Sequence, residues 1–383
     1  MTSPAGVIDA VNERRLTGLL VEAVSQYSPS GREGPAVEVF GDGLHAAGIP
    51  HERHPVPGVA QEEERFNLVA HVGPEPLGLS LIGHTDTIDL WGDEHLEVRR
   101  DGDRLYGLGA ADMKSGCAAI IEAAAAVVST GIKLKRGFQI GLVVGEEEYG
   151  DGIAALIESD LVSAPLTVVG EPTGLAPCTD HFSYAEYSLS GGGRRRHAAL
   201  AQQGANAIHT TLDWISAILS SVDREPIRGG ASLSLREIRG GTHLFIVPDK
   251  CEVVFDVHLP PGLPVGLLDE LIEEARRRVL ENHPGSRLAA ERLFWAPGYV
   301  TAADDPRLAP LQRAFSRAEL AWNTAAFPSH SDASLLHKAG TLPVVCGPGA
   351  LEVAHTSEEH VSLEETLQAA QLYASMICEA CVE

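Results

Sequence analysis

Short apolar runs, each closing in a glycine turn, punctuate the first half of this chain and return near its end. Leu79–Ile82 leads into Gly83-His84, Phe138–Val144 into Gly145-Glu146, Leu166–Val169 into Gly170-Glu171, and Leu342–Val345 toward Gly347-Pro348-Gly349. Continuous hydrophobicity over so few residues predicts strands buried on both faces, as in a mainly parallel sheet. Helical patterns lie between the runs. Ser115–Thr130 is rich in Ala and Ile and stops before Gly131. Asp9–Ala47 divides into two helices around Ser28-Pro29-Ser30-Gly31, and Leu363–Cys381 reads as a long final helix with Ser362 as N-cap and Glu365 three residues on. Recurrent strand–loop–helix order predicts an α/β layered fold.

The middle of the chain has a different rhythm. Tyr184–Leu189 alternates at period two, strands are expected near Leu233–Leu235 and Cys251–Leu259, and helices over Ala205–Ser221 and Leu267–Glu281. This predicts a smaller α+β domain, residues 178–294, inserted into a catalytic domain formed by residues 1–177 and 295–383.

Composition narrows the classes. Apolar residues make up 44% of the 383, enough for a sizeable core, and the formal net charge is −24. That acidity argues against nucleic-acid and anionic-membrane partners, which need clustered Lys and Arg. The longest apolar run, Ala118–Val128, is interrupted by Glu122 and too short to span a bilayer. No basic-then-apolar segment marks the N-terminus, so a cytoplasmic location is expected. The six cysteines are scattered singly, apart from Cys378 and Cys381, which read as incidental members of the last helix.

The chemistry gathers in five segments: Gly83-His84-Thr85-Asp86-Thr87, Ala110-Ala111-Asp112-Met113-Lys114, Gly145-Glu146-Glu147-Glu148, Gly170-Glu171-Pro172-Thr173 and Ala354-His355-Thr356. Two hydrolytic metal ions need a bridging carboxylate, two imidazoles and two further carboxylates, and these segments supply that set with a carboxylate left over as base. Most of them follow apparent strand ends, where open α/β sheets bind ligands. Asp86, two residues from His84, suits a carboxylate accepting the second ring N–H of a ligating imidazole. Adjacent Glu146 and Glu147 point opposite ways in extended backbone, so one can bind metal while the other faces substrate, with Glu148 as the alternative.

These motifs together resemble the zinc-dependent amidohydrolase family that includes acetylornithine deacetylase, succinyl-diaminopimelate desuccinylase, aminoacylase and glutamate carboxypeptidase. The stretch Gly102–Lys114, Gly170-Glu171-Pro172-Thr173 and Gly347-Pro348-Gly349 with Ala354-His355 look closest to the acetylornithine deacetylase branch. The resemblance implies that Asp112 bridges two metals, that His84 and Glu171 complete one site and Glu147 and His355 the other, and that Glu146 is general base and then acid. It implies two divalent ions, Zn2+ first, with Co2+ or Mn2+ as alternatives. It also implies a cis peptide between Asp112 and Met113, and homodimerisation through the inserted domain. His197, with Gly204-Ala205-Asn206-Ala207-Ile208, resembles the family's lid pattern, which implies that this imidazole steadies the oxyanion in the partner's site.

The chain departs from the family where substrate is normally gripped. Phe245 follows Gly240-Gly241-Thr242-His243-Leu244 where an Asn is usual, and Asp256-Val257-His258 ends in histidine where an Arg is usual. Neither Phe nor one imidazole reproduces the bidentate fork of Arg. Ahead of His197 stand Arg194, Arg195 and Arg196, which read either as a solvated turn or as the groups that take over anion recognition. Ser329 and Ser331 are further candidates for binding substrate, with His330 between them. The expected function is a binuclear-metal amidohydrolase cleaving an N-acyl or peptide-like amide of an amino-acid derivative, free or borne on an acidic carrier protein. The alternatives are a biosynthetic homologue that removes a carrier, transfers an acyl group or forms an amide, and a non-enzymatic binding homologue.

Overall fold

The computed structural model describes residues 3–57, 64–90, 97–222 and 230–382. The chain forms two compact units, Met1–Thr179 with Thr301–Phe327 and Ser331–Glu383, and Asp180–Val300 with Pro328–His330.

The larger unit opens with three helices, α1 (Pro4–Ile8), α2 (Glu13–Val24) and α3 (Gly34–Ala46), so the N-terminal region carries one short helix more than expected. Strands β1 (His51–Val56), β2 (Arg65–Val72) and β3 (Leu77–His84) follow, then the small strands β4 (Arg99–Asp101) and β5 (Arg104–Tyr106). Helix α4 (Ser115–Thr130), β6 (Gly137–Val143), α5 (Asp151–Glu158), β7 (Leu166–Pro172) and β8 (Cys178–His181) complete the first pass. After the smaller unit, the chain adds its last helices and strands.

The smaller unit contains β9 (Ser183–Gly192), α6 (Ala207–Val222), β10 (Ser232–Gly240), β11 (Lys250–Leu259), α7 (Val265–Asn282) and β12 (Arg287–Ala296). Its strands make a four-stranded sheet in the order β10-β11-β9-β12, antiparallel throughout. Alternation sets the faces: Ala185, Tyr187 and Leu189 of β9 and Val253, Phe255 and Val257 of β11 are buried in a core shared with Trp214, Ile218 and Ile272 of the two helices. Trp214 Nε1 donates to the Ile272 carbonyl at 3.1 Å, which ties α6 to α7.

The remaining elements return to the larger unit: α8 (Ala309–Arg317), β13 (Ala325–Phe327), α9 (Ala333–Lys338), β14 (Leu342–Gly347), β15 (His360–Ser362) and α10 (Leu363–Cys381). The main sheet has eight strands in the order β1-β2-β6-β3-β7-β14-β8-β13. Its centre, β6-β3-β7-β14, is parallel, and β2 and β8 join it antiparallel. Every residue of these four central strands is buried. Helices cover them, with α4 and α10 packed on β3 and on each other, and α9 on β14.

Local signals explain the ends of the longest helices. Gly131 closes α4 in the left-handed conformation, φ +61°. Ser362 caps α10 by accepting from the Glu365 N–H at 3.0 Å. The reciprocal half of a capping box is replaced: Glu365 Oε1 accepts instead from the Gly349 N–H at 2.9 Å.

The helical stretch Ala110–Thr130 is long and apolar enough to cross a membrane, contrary to the expectation that no stretch would be, but most of its apolar part is buried within the fold. It is therefore a core helix. All six cysteines are buried thiols outside any disulfide, Cys378 and Cys381 among them.

Candidate metal centre

Parallel strands that pair in register end together, and the larger unit uses this to gather its polar side chains. His84 is the last residue of β3 and lies opposite Val143, the last of β6. Glu146 and Glu147 lie in the turn after β6, which the Tyr149 and Gly150 N–H groups close on the Gly145 carbonyl, rather than on the extended backbone expected from the sequence, and Glu171 lies near the end of β7. Asp112 sits in an irregular turn just before α4, with φ −118° and ψ 98°, and its bond to Met113 is cis. His355 adopts a left-handed backbone, φ +58°, beyond β14.

The Asp112 carboxylate stands between two His–Glu groups. Its Oδ1 is 3.1 Å from His84 Nε2, which is itself 3.7 Å from Glu171 Oε1. Its Oδ2 is 3.6 Å from His355 Nε2, which is 3.1 Å from Glu147. Glu146 Oε2 lies 3.9 Å from His84 Nε2. Ligand atoms of His84, Glu146 and Glu171, and likewise of His84, Asp112 and Glu147, fall within 4.8 Å of one another.

The electrostatics fit cations here. Burial and the Asp112 charge push the Glu147 carboxyl up to about 8 and the Glu171 carboxyl well above its usual range. Burial alone would lower His84, but Glu171, Asp112 and Asp86 outweigh it and raise the imidazole. His355 is likewise raised, to about 9, because Glu147 and Asp112 overcome burial. Buried carboxyls such as Glu147 and Glu171, which hold their protons this firmly, mark a place where divalent ions can replace those protons, and imidazole with carboxylate is the donor set that zinc, cobalt and manganese accept.

Asp86 differs from its sequence reading in detail. His84 Nδ1 lies 3.1 Å from the Asp86 backbone carbonyl and 3.5 Å from its Oδ1. The carboxylate chiefly receives the backbone N–H groups of Glu146 (3.2 Å) and Glu147 (3.0 Å) and the Ser30 hydroxyl (2.7 Å). In the sequence, Ser30 marks only a break between helices. Beneath the same loop, the buried Arg65 bonds Glu33 at 2.7 Å and also pairs with Asp151. Nothing in the spacing of Glu33, Arg65 and Asp151 announces that network.

The smaller unit holds the remaining candidates. His197 is exposed, its Nδ1 accepting from the Ala199 N–H at 3.2 Å. Its backbone neighbours pair with the loop after β10: Ala198 N donates to the Phe245 carbonyl at 3.0 Å, and Val247 N to the Arg196 carbonyl at 2.8 Å. Phe245 is 83% exposed. Arg195 pairs with Asp249 at 3.0 Å, while Arg194 and Arg196 donate to the backbone carbonyls of Gln203 and Arg195. His258 packs its ring 5.0 Å from Tyr184, which is also 5.9 Å from Phe294 and 5.6 Å from His330. Burial and the neighbouring His330 push His258 down to about 4, so it is a neutral imidazole at pH 7. Ser329 is half-buried in this unit. Ser331 belongs to the larger unit and is fully buried, its hydroxyl accepting from the Ala333 N–H at 3.3 Å at the start of α9.

The chain is similar to known proteins in sequence and in fold. The sequence profile of the family described as Peptidase family M20/M25/M40 matches residues 80–379. An acetylornithine deacetylase of Pectobacterium carotovorum subsp. carotovorum is 28% identical over 357 residues, 89% of this chain and 88% of the relative. In structure, a tripeptidase of Staphylococcus aureus superposes with a TM-score of 0.80 at 21% identity, covering 97% of this chain and 99% of the other. A dinuclear metal binding peptidase of the M20 family from Bacillus subtilis gives a TM-score of 0.67 at 16% identity, covering 95% and 97%. At those identities the two structural likenesses speak to the fold alone.

Proposed function

Because this chain belongs to peptidase family M20/M25/M40, and is thereby a hydrolase of amide bonds, we propose that it is a binuclear-metal deacylase or carboxypeptidase acting on an N-acyl or peptide-like amide of an amino-acid derivative. The observation that carries this reading is the Asp112 carboxylate, whose two oxygens each face one His–Glu group. His84 and Glu171 would hold one ion, His355 and Glu147 the other, with Asp112 shared. Zn2+ is the first choice, with Co2+ and Mn2+ compatible with the same donors. Such ions, when bound, would supply polarisation of the amide carbonyl and acidification of water.

The protein's own groups supply the rest. Glu146 takes the proton of the attacking water as oxygen adds to the carbonyl carbon. It then gives that proton to the departing nitrogen as the C–N bond breaks. Asp86 fixes the Glu146–Glu147 backbone, so that base and ligand keep their orientation. In a homodimer, His197 of one protomer would donate to the oxyanion formed in its partner's site. The exposed edge strand β10, with Leu235 and Ile238, and the exposed Leu212 and Leu219 of α6 are the surfaces that support such pairing.

Substrate selection follows from the smaller unit. A neutral His258 and an apolar Phe245 cannot clamp a carboxylate as Arg and Asn do, whereas Arg194 and Arg196 keep exposed positive charge near His197. We therefore assign anion recognition to the Arg194–Arg196 run, which suits an acidic acyl substituent or an amino acid borne on an acidic carrier protein. Ser329 is a candidate substrate contact, and Ser331 a weaker one because its hydroxyl already serves α9. A cytoplasmic location accords with six buried thiols.

The experiment is a metal assay with a panel of N-acyl amino acids and dipeptides, using zinc- and cobalt-loaded enzyme. Two ions per chain and hydrolysis of a panel member are expected. Two ions with no hydrolysis, but condensation of an acylated donor with an amine acceptor, would favour the biosynthetic reading that Phe245 and His258 suggest.

A further inference from the structure

Glu359 is four residues beyond His355, lies 3% exposed, and takes up four backbone N–H groups of the loop that carries Asp112. Its backbone carbonyl accepts from Gly107 at 3.1 Å. Its side chain accepts from Gly109 through Oε2 at 3.1 Å, and through Oε1 from Ala111 at 2.9 Å and Asp112 at 3.1 Å. These partners are up to 250 residues away in sequence.

The loop needs such an acceptor. Gly109 is left-handed, and Asp112 and Met113 have non-helical backbone, so the amides before α4 cannot all pair along a regular helix. Buried N–H groups left without a partner are costly. Only a carboxylate offers two oxygens, each with spare lone pairs, to three donors at once. On its other side, Glu359 is tied to the His355 loop by its own N–H, which donates to the Thr356 carbonyl at 3.1 Å. The next residue, His360, pairs with Tyr106, so residues 360–362 and 104–106 are zipped together beside it. Glu359 thus joins the segments bearing the two residues whose Nε2 and Oδ2 stand 3.6 Å apart, His355 and Asp112.

We propose that Glu359 is a positioning residue of the metal centre: by clamping the Gly107–Asp112 backbone to the His355 loop, it sets the separation of Asp112 and His355 and with it the affinity of the ion those two share. The proposal rests on the binuclear reading above. Groups that orient ligands from behind typically govern metal affinity by about 10–100-fold. Glu359→Gln retains shape and one oxygen acceptor but must turn an NH2 group toward a backbone N–H. It should therefore weaken the second ion more than the first.

The test titrates metal-depleted wild type and Glu359→Gln with Zn2+ against a chromophoric chelator, and records the visible absorption of the Co2+-loaded proteins. Expected are two ions on wild type, a loss of about 10–100-fold in affinity for one of them in Glu359→Gln, and an altered cobalt spectrum. Glu359→Asp, which keeps both oxygens, should recover part of the affinity. Two ions bound by the variant with unchanged affinity and spectrum would overturn the role of Glu359 and leave the binuclear centre standing. Fewer than two ions on wild type would overturn both. Should the variants fail to fold, hydrogen exchange on metal-free wild type decides: amides of residues 109, 111 and 112 are expected to be protected, and rapid exchange there would overturn the clamp.

Discussion

Asp86 Oδ2 accepts the backbone N–H of Glu147 at 3.0 Å, with the Glu146 N–H held by Oδ1 at 3.2 Å. A buried carboxylate thus fixes two successive peptide groups within the turn that follows β6. Burial would raise the Asp86 carboxyl, but His84, the Glu147 N–H and Ser30 outweigh it and hold it below the usual range. Asp86→Asn must turn its amide NH2 toward one of these donors. We expect kcat/KM to fall by roughly 10–100-fold. Steady-state kinetics together with metal content would show whether the loss lies in turnover, as expected, or in empty sites.

Glu146→Gln removes the proposed proton acceptor while keeping the side chain's size. Bound metal is expected to stay at the wild-type level and kcat to fall by about 100–10,000-fold. Metal analysis beside single-turnover kinetics checks this, and a variant of near-normal rate would reassign the base to Glu148.

Gly145 has φ +74°, and a Cβ added there would overlap Asp151 and Arg65. Gly145→Ala should cost about 1–3 kcal/mol from backbone strain and displaced neighbours. It should also depress activity more than a surface change of equal cost, because the next two residues are Glu146 and Glu147. Denaturant unfolding and kinetics on the same preparation separate the two effects.

If Arg194, Arg195 and Arg196 recognise an anionic group, replacing all three by Ala should raise KM for an acidic substrate by about 10-fold or more and flatten its dependence on salt. Turnover of a neutral analogue should change little. Equal KM values for wild type and variant on the acidic substrate would return the run to a solvated turn.

Glu379 links α10 to α8 through Arg313 at 2.8 Å and Arg317 at 3.1 Å. Burial would raise its carboxyl, but these two guanidinium groups outweigh it and hold it below the usual value. A depressed carboxyl stabilises the folded state above its unfolded pKa, about 4.3, and that contribution fades as pH falls through the lower folded value. Glu379→Gln should therefore lose about 1–3 kcal/mol at pH 7, and the gap to wild type should close in the acid range. Chemical denaturation from pH 7 down to pH 3 measures it.

The sequence alone determined the layered α/β architecture, because strands buried on both faces must be apolar throughout and helices must carry their own periodicity and caps. Ser115–Thr130 and Leu363–Cys381 are helices over the expected residues, and the four apolar runs are the parallel centre of the sheet. It also determined the types of side chain a binuclear centre needs, since metals choose donors by chemistry. Tertiary structure decided how those donors meet. That Asp112 turns one oxygen to His84 and the other to His355 depends on an irregular turn no periodicity encodes. That Asp86 grips the Glu146–Glu147 backbone more than the ring of His84, and that Glu359 clamps the Asp112 loop, are contacts between side chains and distant main-chain amides. A backbone N–H is the same at every residue but proline, so such contacts leave no mark on the order of side chains.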